Sequence, residues 1–188
     1  MKDVYEYCPK FENDKFLLRL ISHEDTDDLL KVYSDPAAVP FFNSDNCHGD
    51  DFYYKTLERM KQAVDFWIFS YNEKYFVRWT VIDKETREAV GTIELFHREA
   101  DEHFYECGLL RLDLRSDYEK AAWIKNIISL IKDVTYDLFY CKIIATKAVP
   151  EATERLKALC ELGFVTSEKI LVGGDGIQYG DYYILESK

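Results

Sequence analysis

Two carboxylates of this chain stand in apolar company. Glu94 lies within AVGTIELFH and Glu106 within FYECGLLRL. Burial disfavours the charged form of an acid, so either side chain is a candidate general base with a pKa raised toward neutrality. The plainer reading of each is a solvated or ion-paired acid. A third candidate is the segment Asp117-Tyr118-Glu119-Lys120-Ala121-Ala122-Trp123, which precedes an isoleucine stripe. A helix starting there would present unpaired amides and the positive end of its dipole, the usual seat of an anion. Lys120 could add a point charge, whereas Asp117 and Glu119 oppose an anion and equally suit a helix start that binds nothing. The five cysteines (Cys8, Cys47, Cys107, Cys141 and Cys160) form no CxxC pair. The four histidines show no HExxH spacing, so neither a disulfide framework nor a metal site is expected.

The elements that would carry these residues can be read from periodicity. Phe16 to Ile21 reads as a strand, and a helix capped by Ser22 or Asp25 runs to the Ser34-Asp35-Pro36 stop. The residues from Asp51 to Phe66 repeat Phe52, Leu57, Met60 and Val64 at helical spacing. Phe76 to Ile82 and Ala89 to His97 form a hairpin about Asp83-Lys84-Glu85-Thr86. Arg98 to His103 is a charged connection, and Phe104 to Leu114 is a long strand whose Gly108 suggests a bulge or a close approach. The strongest helix is Tyr118 to Leu138, with Ile124, Ile127, Ile128 and Ile131 on one face. Lys142 to Ala145 is a buried-type strand. Pro150 to Leu162 is a helix stopped by Gly163. Phe164 to Leu171 and Gln178 to Leu185 are strands, with a glycine-rich turn between them. This order gives an α/β fold, a mixed sheet with helices on both faces, in a single domain over residues 1–188.

Three of these segments resemble the GNAT N-acetyltransferase superfamily, nearest its ribosomal-protein N-terminal acetyltransferase-like branch. They are the hairpin FVRWTVIDKETREAVGTIEL, the run LRSDYEKAAWIKNIISLIKDVTYDLFYCKIIA, and the helix ERLKALCELGF that closes in Leu-Gly-Phe. The resemblance implies a splayed central sheet and acetyl-CoA as co-substrate. It implies that Leu112, Asp113 and Leu114 border the pantetheine arm. The pyrophosphate would then lie on Tyr118, Glu119, Lys120, Ala121, Ala122 and Trp123. The family loop reads [Q/R]-x-x-G-x-[G/A]. Here Asp117 replaces the Gln or Arg, Lys120 replaces the glycine, and Ala122 fits the last position. Leu159 stands where many members carry a tyrosine acid. Ala152 and Arg155 stand where the amine-acetylating branch carries Asn-x-x-Ser.

Composition sets the boundaries of the functional reading. The 35 acidic and 24 basic residues leave a net charge of −11, which disfavours nucleic acid and anionic membrane and favours a cationic amine. No signal-type apolar run opens the chain and none approaches the roughly 18 residues of a membrane span, so a cytoplasmic location is expected. The expected activity is acetyl transfer to a primary amine of a small molecule, peptide or protein N-terminus, in a possible homodimer. The alternative is a catalytically degenerate GNAT-fold binding or regulatory module. A third reading is a protein-interaction surface built on Phe41, Phe42, Phe52 and Tyr53. Tyr179, Tyr182 and Tyr183 are candidates for the acceptor mouth or for cross-strand packing.

Overall fold

The computed structural model describes residues 3–99, 103–174 and 176–187. Ala100, Asp101 and Glu102 of the charged connection, and Asp175 of the glycine-rich turn, lie outside them. The chain opens with a short edge strand β1 (Phe11–Glu12) and with β2 (Phe16–Leu20), whose Phe16 and Leu18 point inward. Helix α1 (Thr26–Tyr33) starts where Asp25 Oδ2 accepts from the Ser22 amide at 3.0 Å. Helix α2 covers Leu57–Asn72 rather than the residues from Asp51 to Phe66. The shift has a local cause. Asp50 and Asp51 accept from the amides two residues on, and Phe52 has φ +59°, so this stretch turns instead of coiling. The side chain of Thr56 then caps the helix by accepting from the Arg59 amide at 3.2 Å.

Strands β3 (Val77–Asp83), β4 (Ala89–Arg98) and β5 (Cys107–Leu114) form an antiparallel ladder. The irregularity in it falls at Val81 and Ile82, not at Gly108. A Cβ on Gly108 would lie 2.9 Å from Cys141 Sγ and 3.1 Å from Thr135 Cγ2, so this glycine serves a close approach. The expected long helix is two pieces, α3 (Ala121–Ser129) and α4 (Lys132–Leu138). Ile131 between them leaves helical geometry at φ −125°, which keeps its side chain fully buried. Strand β6 (Ile143–Lys147) and helix α5 (Thr153–Glu161) follow. α5 ends at Gly163, φ +90°, with the Phe164 amide returning to the Leu159 carbonyl.

The last two expected strands each divide. β7 (Val165–Thr166) pairs with β10 (Tyr182–Glu186), while β8 (Leu171–Val172) pairs with β9 (Gln178–Tyr179) in a separate ribbon. The main sheet runs β1-β2-β3-β4-β5-β6-β10-β7. One face of it is apolar. Leu110, Leu112 and Leu114 pack with Ile124, Ile127 and Ile128 of α3 and with Ala158 and Leu159 of α5. Each fully buried isoleucine contributes about 1.5–3 kcal/mol. The opposite face packs under α1 and α2 at β3 and β4, where it is polar, and carries an apolar cluster of Cys107, Leu109, Ala145 and Tyr182 toward β6 and β10.

Candidate active site

Because side chains alternate across a strand, the residues between the buried leucines of β5 project to the polar face. Cross-strand register aligns them in two rows. Arg19, Thr80, Thr92 and Asp113 form one row, and Arg78, Glu94 and Arg111 the other. Arg78 is the hub and is 1% exposed. Its Nε and Nη2 donate to Glu94 Oε2. Its Nη1 donates to Tyr33 Oη at 2.8 Å, Thr92 Oγ1 at 3.0 Å and Asp113 Oδ2 at 3.1 Å. The guanidinium lies 4.2 Å from the centre of the Trp67 ring. Glu94 Oε1 accepts from Arg111 Nη1 at 2.9 Å, so both of its oxygens are committed to arginines.

Asp113 differs from Glu94. Its Oδ1 is buried and has no hydrogen-bond partner. Burial pushes its carboxyl pKa up, against the downward pull of Arg78 and the Tyr33 hydroxyl. Tyr33 is likewise raised, by burial first and by the Asp113 charge second.

Above the Arg78-Glu94-Arg111 row lies a cavity of about 570 Å³. Rings from α2 and the preceding turn, Phe52, Tyr54, Phe66 and Trp67, form one side, and Phe76, just ahead of β3, and Phe96 of β4 form another. Arg59 reaches it from α2, where it lies over the Tyr54 ring and pairs with Asp50.

The pairing of β5 with β6 ends at Leu110 and Thr146. Beyond that point Arg111 to Leu114 pair with β4 alone, so the sheet opens into a gap. Arg155 of α5 fills the gap and is 3% exposed. Its Nη1 donates to the Leu112 carbonyl at 2.8 Å and to the Phe41 carbonyl at 2.9 Å. Its Nε and Nη2 grip Glu119 Oε1 and Oε2 at 2.7 and 2.8 Å. At the start of α3 the Ala121 amide donates to Glu154 Oε2 at 2.7 Å, and the Trp123 and Ile124 amides return to the Lys120 carbonyl.

The sequence profile of the Acetyltransferase (GNAT) domain family matches residues 15–165. That is most of the chain. The protein belongs to the GNAT acetyltransferase family. A curated relative, described as uncharacterized N-acetyltransferase YoaA of Bacillus subtilis, is 25% identical over 95 residues, which is 50% of this chain and 49% of that protein. The match thus spans about half the length of that relative. Solved structures share the fold. A GNAT-family acetyltransferase of Bacillus anthracis superposes with TM-score 0.68 at 15% identity, covering 95% of this chain and 98% of its own. The ribosomal-protein-S5-alanine acetyltransferase of Vibrio fischeri gives 0.66 at 18%, covering 94% of each. The spermidine N-acetyltransferase of Vibrio cholerae, in complex with CoA and spermine, gives 0.63 at 12%, covering 93% and 96%.

Against the expectations for a GNAT chain, the splayed sheet is present and the cofactor residues are differently engaged. Leu112 and Leu114 are buried in the apolar core, and Asp113 belongs to the polar network. Tyr118 is also a core residue. Its ring lies 4.8 Å from that of Trp123, and its hydroxyl donates to Asp83 at 2.8 Å. Glu119 faces Arg155, Lys120 lies over the Trp123 ring, and Ala121 is tied to Glu154, while Ala122 is exposed. With Glu119 and Glu154 in place and Arg155 across the gap, these residues do not fit the arm and pyrophosphate of acetyl-CoA in this arrangement.

Glu106 is corrected outright as a buried base. It precedes β5 in a turn, at φ +50°, and faces solvent. Glu94 is buried but is the ion-paired acid of the plainer reading. Phe42 and Phe52 are buried, and Phe41 and Tyr53 half-buried, so they offer no exposed docking patch. Tyr182 is buried and donates to Asp45 at 3.1 Å, serving packing rather than a mouth. Sequence reading missed Arg78 and Arg111, and it placed Asp113 beside the cofactor arm rather than in this buried network. The alternation of Leu110-Arg111-Leu112-Asp113-Leu114 is the signal that could have placed Arg111 and Asp113 there. Among the described residues no three His, Cys, Asp or Glu side chains converge as a metal site, and no helix is long and apolar enough to cross a membrane.

Proposed function

We propose that this GNAT chain transfers an acetyl group from acetyl-CoA to a primary amine held in the cavity above the Arg78-Glu94-Arg111 row. One observation carries the reading. Arg111 is the first β5 residue beyond the last β5–β6 pair, and it also lines the cavity, so the acceptor space abuts the place where the strands part. Two structural relatives, a spermidine N-acetyltransferase and a ribosomal-protein-S5-alanine acetyltransferase, support an amine as acceptor.

An amine attacks only in neutral form, so a group must take its proton. Asp113 has an Oδ1 without a partner and a pKa raised by burial, but it is fully buried and does not line the cavity, so it does not meet an amine held there. Glu94 does line the cavity, and its two oxygens hold Arg78 and Arg111 in place. The cavity charges are mixed, with three arginines (Arg59, Arg78 and Arg111) against two acids (Glu94 and Asp50), so the acceptor is recognised by its apolar or aromatic flank rather than by acidity.

The test is incubation with acetyl-CoA and a panel of polyamines, aromatic amines and peptides, followed by thiol release and acceptor mass. Acetylation of an amine with an apolar flank is expected. Failure with every amine, by a protein that binds coenzyme A, would refute the proposal. The second reading, a non-catalytic GNAT-fold module, is favoured by the filling of the gap by Arg155 and of the Ala121 amide by Glu154.

A further inference from the structure

We infer that Arg155 and Glu119 form a latch that closes the cofactor groove from within, so that coenzyme A binds the native chain weakly and release of the latch raises its affinity. The inference rests on the proposal that coenzyme A is the donor, and on the misfit described above.

The latch is specified by its contacts. In a splayed GNAT sheet the backbone groups freed beyond the last strand pair must find partners. Here the Leu112 carbonyl, on the edge of β5 that faces the gap, finds one in this chain's own Arg155. The same Nη1 also takes the Phe41 carbonyl, so the side chain stitches β5, α5 and the segment after α1 together across the opening. The rest of the guanidinium is matched in a fork to Glu119, in the turn ahead of α3. Glu119 is thereby held in the turn, where its charge opposes an incoming phosphate. Glu154, the neighbour of Arg155 on α5, occupies the Ala121 amide of the same helix start. One turn of α5 therefore supplies a cation to the gap and an anion to the phosphate seat. Both are substitutes for parts of the ligand.

The arrangement has two states. A pyrophosphate is also a forked oxyanion and competes with Glu119 for Arg155, and an amide-bearing arm competes with Arg155 for Leu112. The apparent affinity of a ligand falls in proportion to the fraction of molecules with the site open. If about one molecule in a hundred is unlatched, coenzyme A binds about 100-fold more weakly than its intrinsic affinity.

The experiment is calorimetric titration of the full chain with coenzyme A. The proteins compared are the native chain, Glu119→Gln and Glu119→Gln/Arg155→Ser, each first shown to be folded by circular dichroism and a cooperative melt. The expected result is weak binding by the native chain and about 10- to 100-fold tighter binding by at least one variant. Tight native binding that either variant weakens would overturn the latch, since Arg155 would then be a ligand of the phosphate. Equal binding by all three proteins, or none by any at millimolar coenzyme A, would overturn it as well. A second measurement needs no variant. The Arg155 Nε–H resonance of the native protein is expected to be protected from exchange, and to shift or lose protection as coenzyme A is added. Unchanged protection at saturation would refute displacement. Acetyl transfer is scored separately: variants that bind more tightly yet acetylate nothing would leave the latch standing and remove the proposed activity.

Discussion

Replacing Arg78 with methionine tests whether the polar face of the sheet is held by one hub. Methionine keeps most of the side-chain volume and removes the charge. Glu94 would retain Arg111, and Asp113 would retain only the Tyr33 hydroxyl, both still sealed under α1 and α2. Breaking a buried pair from one side costs about 3–5 kcal/mol, because the remaining charge is left without compensation. Here one residue serves two carboxylates, so the upper part of that range applies. For a chain of this length each kcal/mol shifts the midpoint by about 2–4 °C, which makes a loss of roughly 8–20 °C. The assay is thermal and urea unfolding at neutral pH, with Arg78→Met/Asp113→Asn measured beside the single variant, while Glu94 is kept because it still pairs with Arg111. Neutralising the stranded Asp113 is expected to recover a measurable part of the loss. A single variant that loses under about 1 kcal/mol, or a double variant less stable than the single, would refute the reasoning.

Other outcomes follow from particular contacts. Gly91→Ala places a Cβ 2.2 Å from the Asp113 carbonyl oxygen and 2.7 Å from Leu114 Cδ2, so β4 and β5 must part and the urea midpoint should drop by the equivalent of about 1–3 kcal/mol. An unchanged midpoint would contradict the close approach. Burial raises the pKa of Cys8 to about 12 and of Cys141 to about 11, and Cys160 is exposed, so a thiol reagent at pH 8 should label Cys160 first in the native chain and all five cysteines after denaturation. Peptide mapping reads the order, and early labelling of Cys141 would count against it. For Asp83, burial raises the pKa, but hydrogen bonds from Tyr118, Lys15 and the Glu85 and Thr86 amides outweigh it and leave the carboxyl below its ordinary 3.8. The stability from such a group is present above pH 3.8 and lost as pH falls through the lower folded value. Asp83→Asn should therefore cost about 1–3 kcal/mol at pH 7, with the gap narrowing below pH 3.8, and a gap that stays constant down to acid would exclude the mechanism.

Much of the architecture was legible because burial writes itself into the sequence as a period. The β3–β4 hairpin, the isoleucine face of α3 and the Gly163 stop all lie within a few residues of where periodicity put them. The misplaced boundaries have short-range causes that averaging over a window hides. The turns built by Asp50 and Asp51 moved the start of α2, and the kink at Ile131 divided a helix whose stripe is continuous. At the site the sequence showed which residues were replaced but not where their side chains go. Arg155 read as a lost Asn-x-x-Ser position, yet it is a plug in the opened sheet, a fact fixed by contacts with Leu112, 43 residues earlier, and Phe41, 114 residues earlier. Glu106 and Glu94 looked alike as acids among apolar neighbours. A left-handed backbone turned one to solvent, and two arginines from neighbouring strands engaged the other.

The main sheet finishes at both sides on strands of two residues, Phe11–Glu12 and Val165–Thr166. An incoming β-segment from another molecule would meet a ladder too brief to template continued growth. Eight strands side by side would otherwise make a long ribbon open to runaway stacking, and these stubs give the protein a built-in terminus at each flank. Self-association by sheet extension is thereby disfavoured at both flanks.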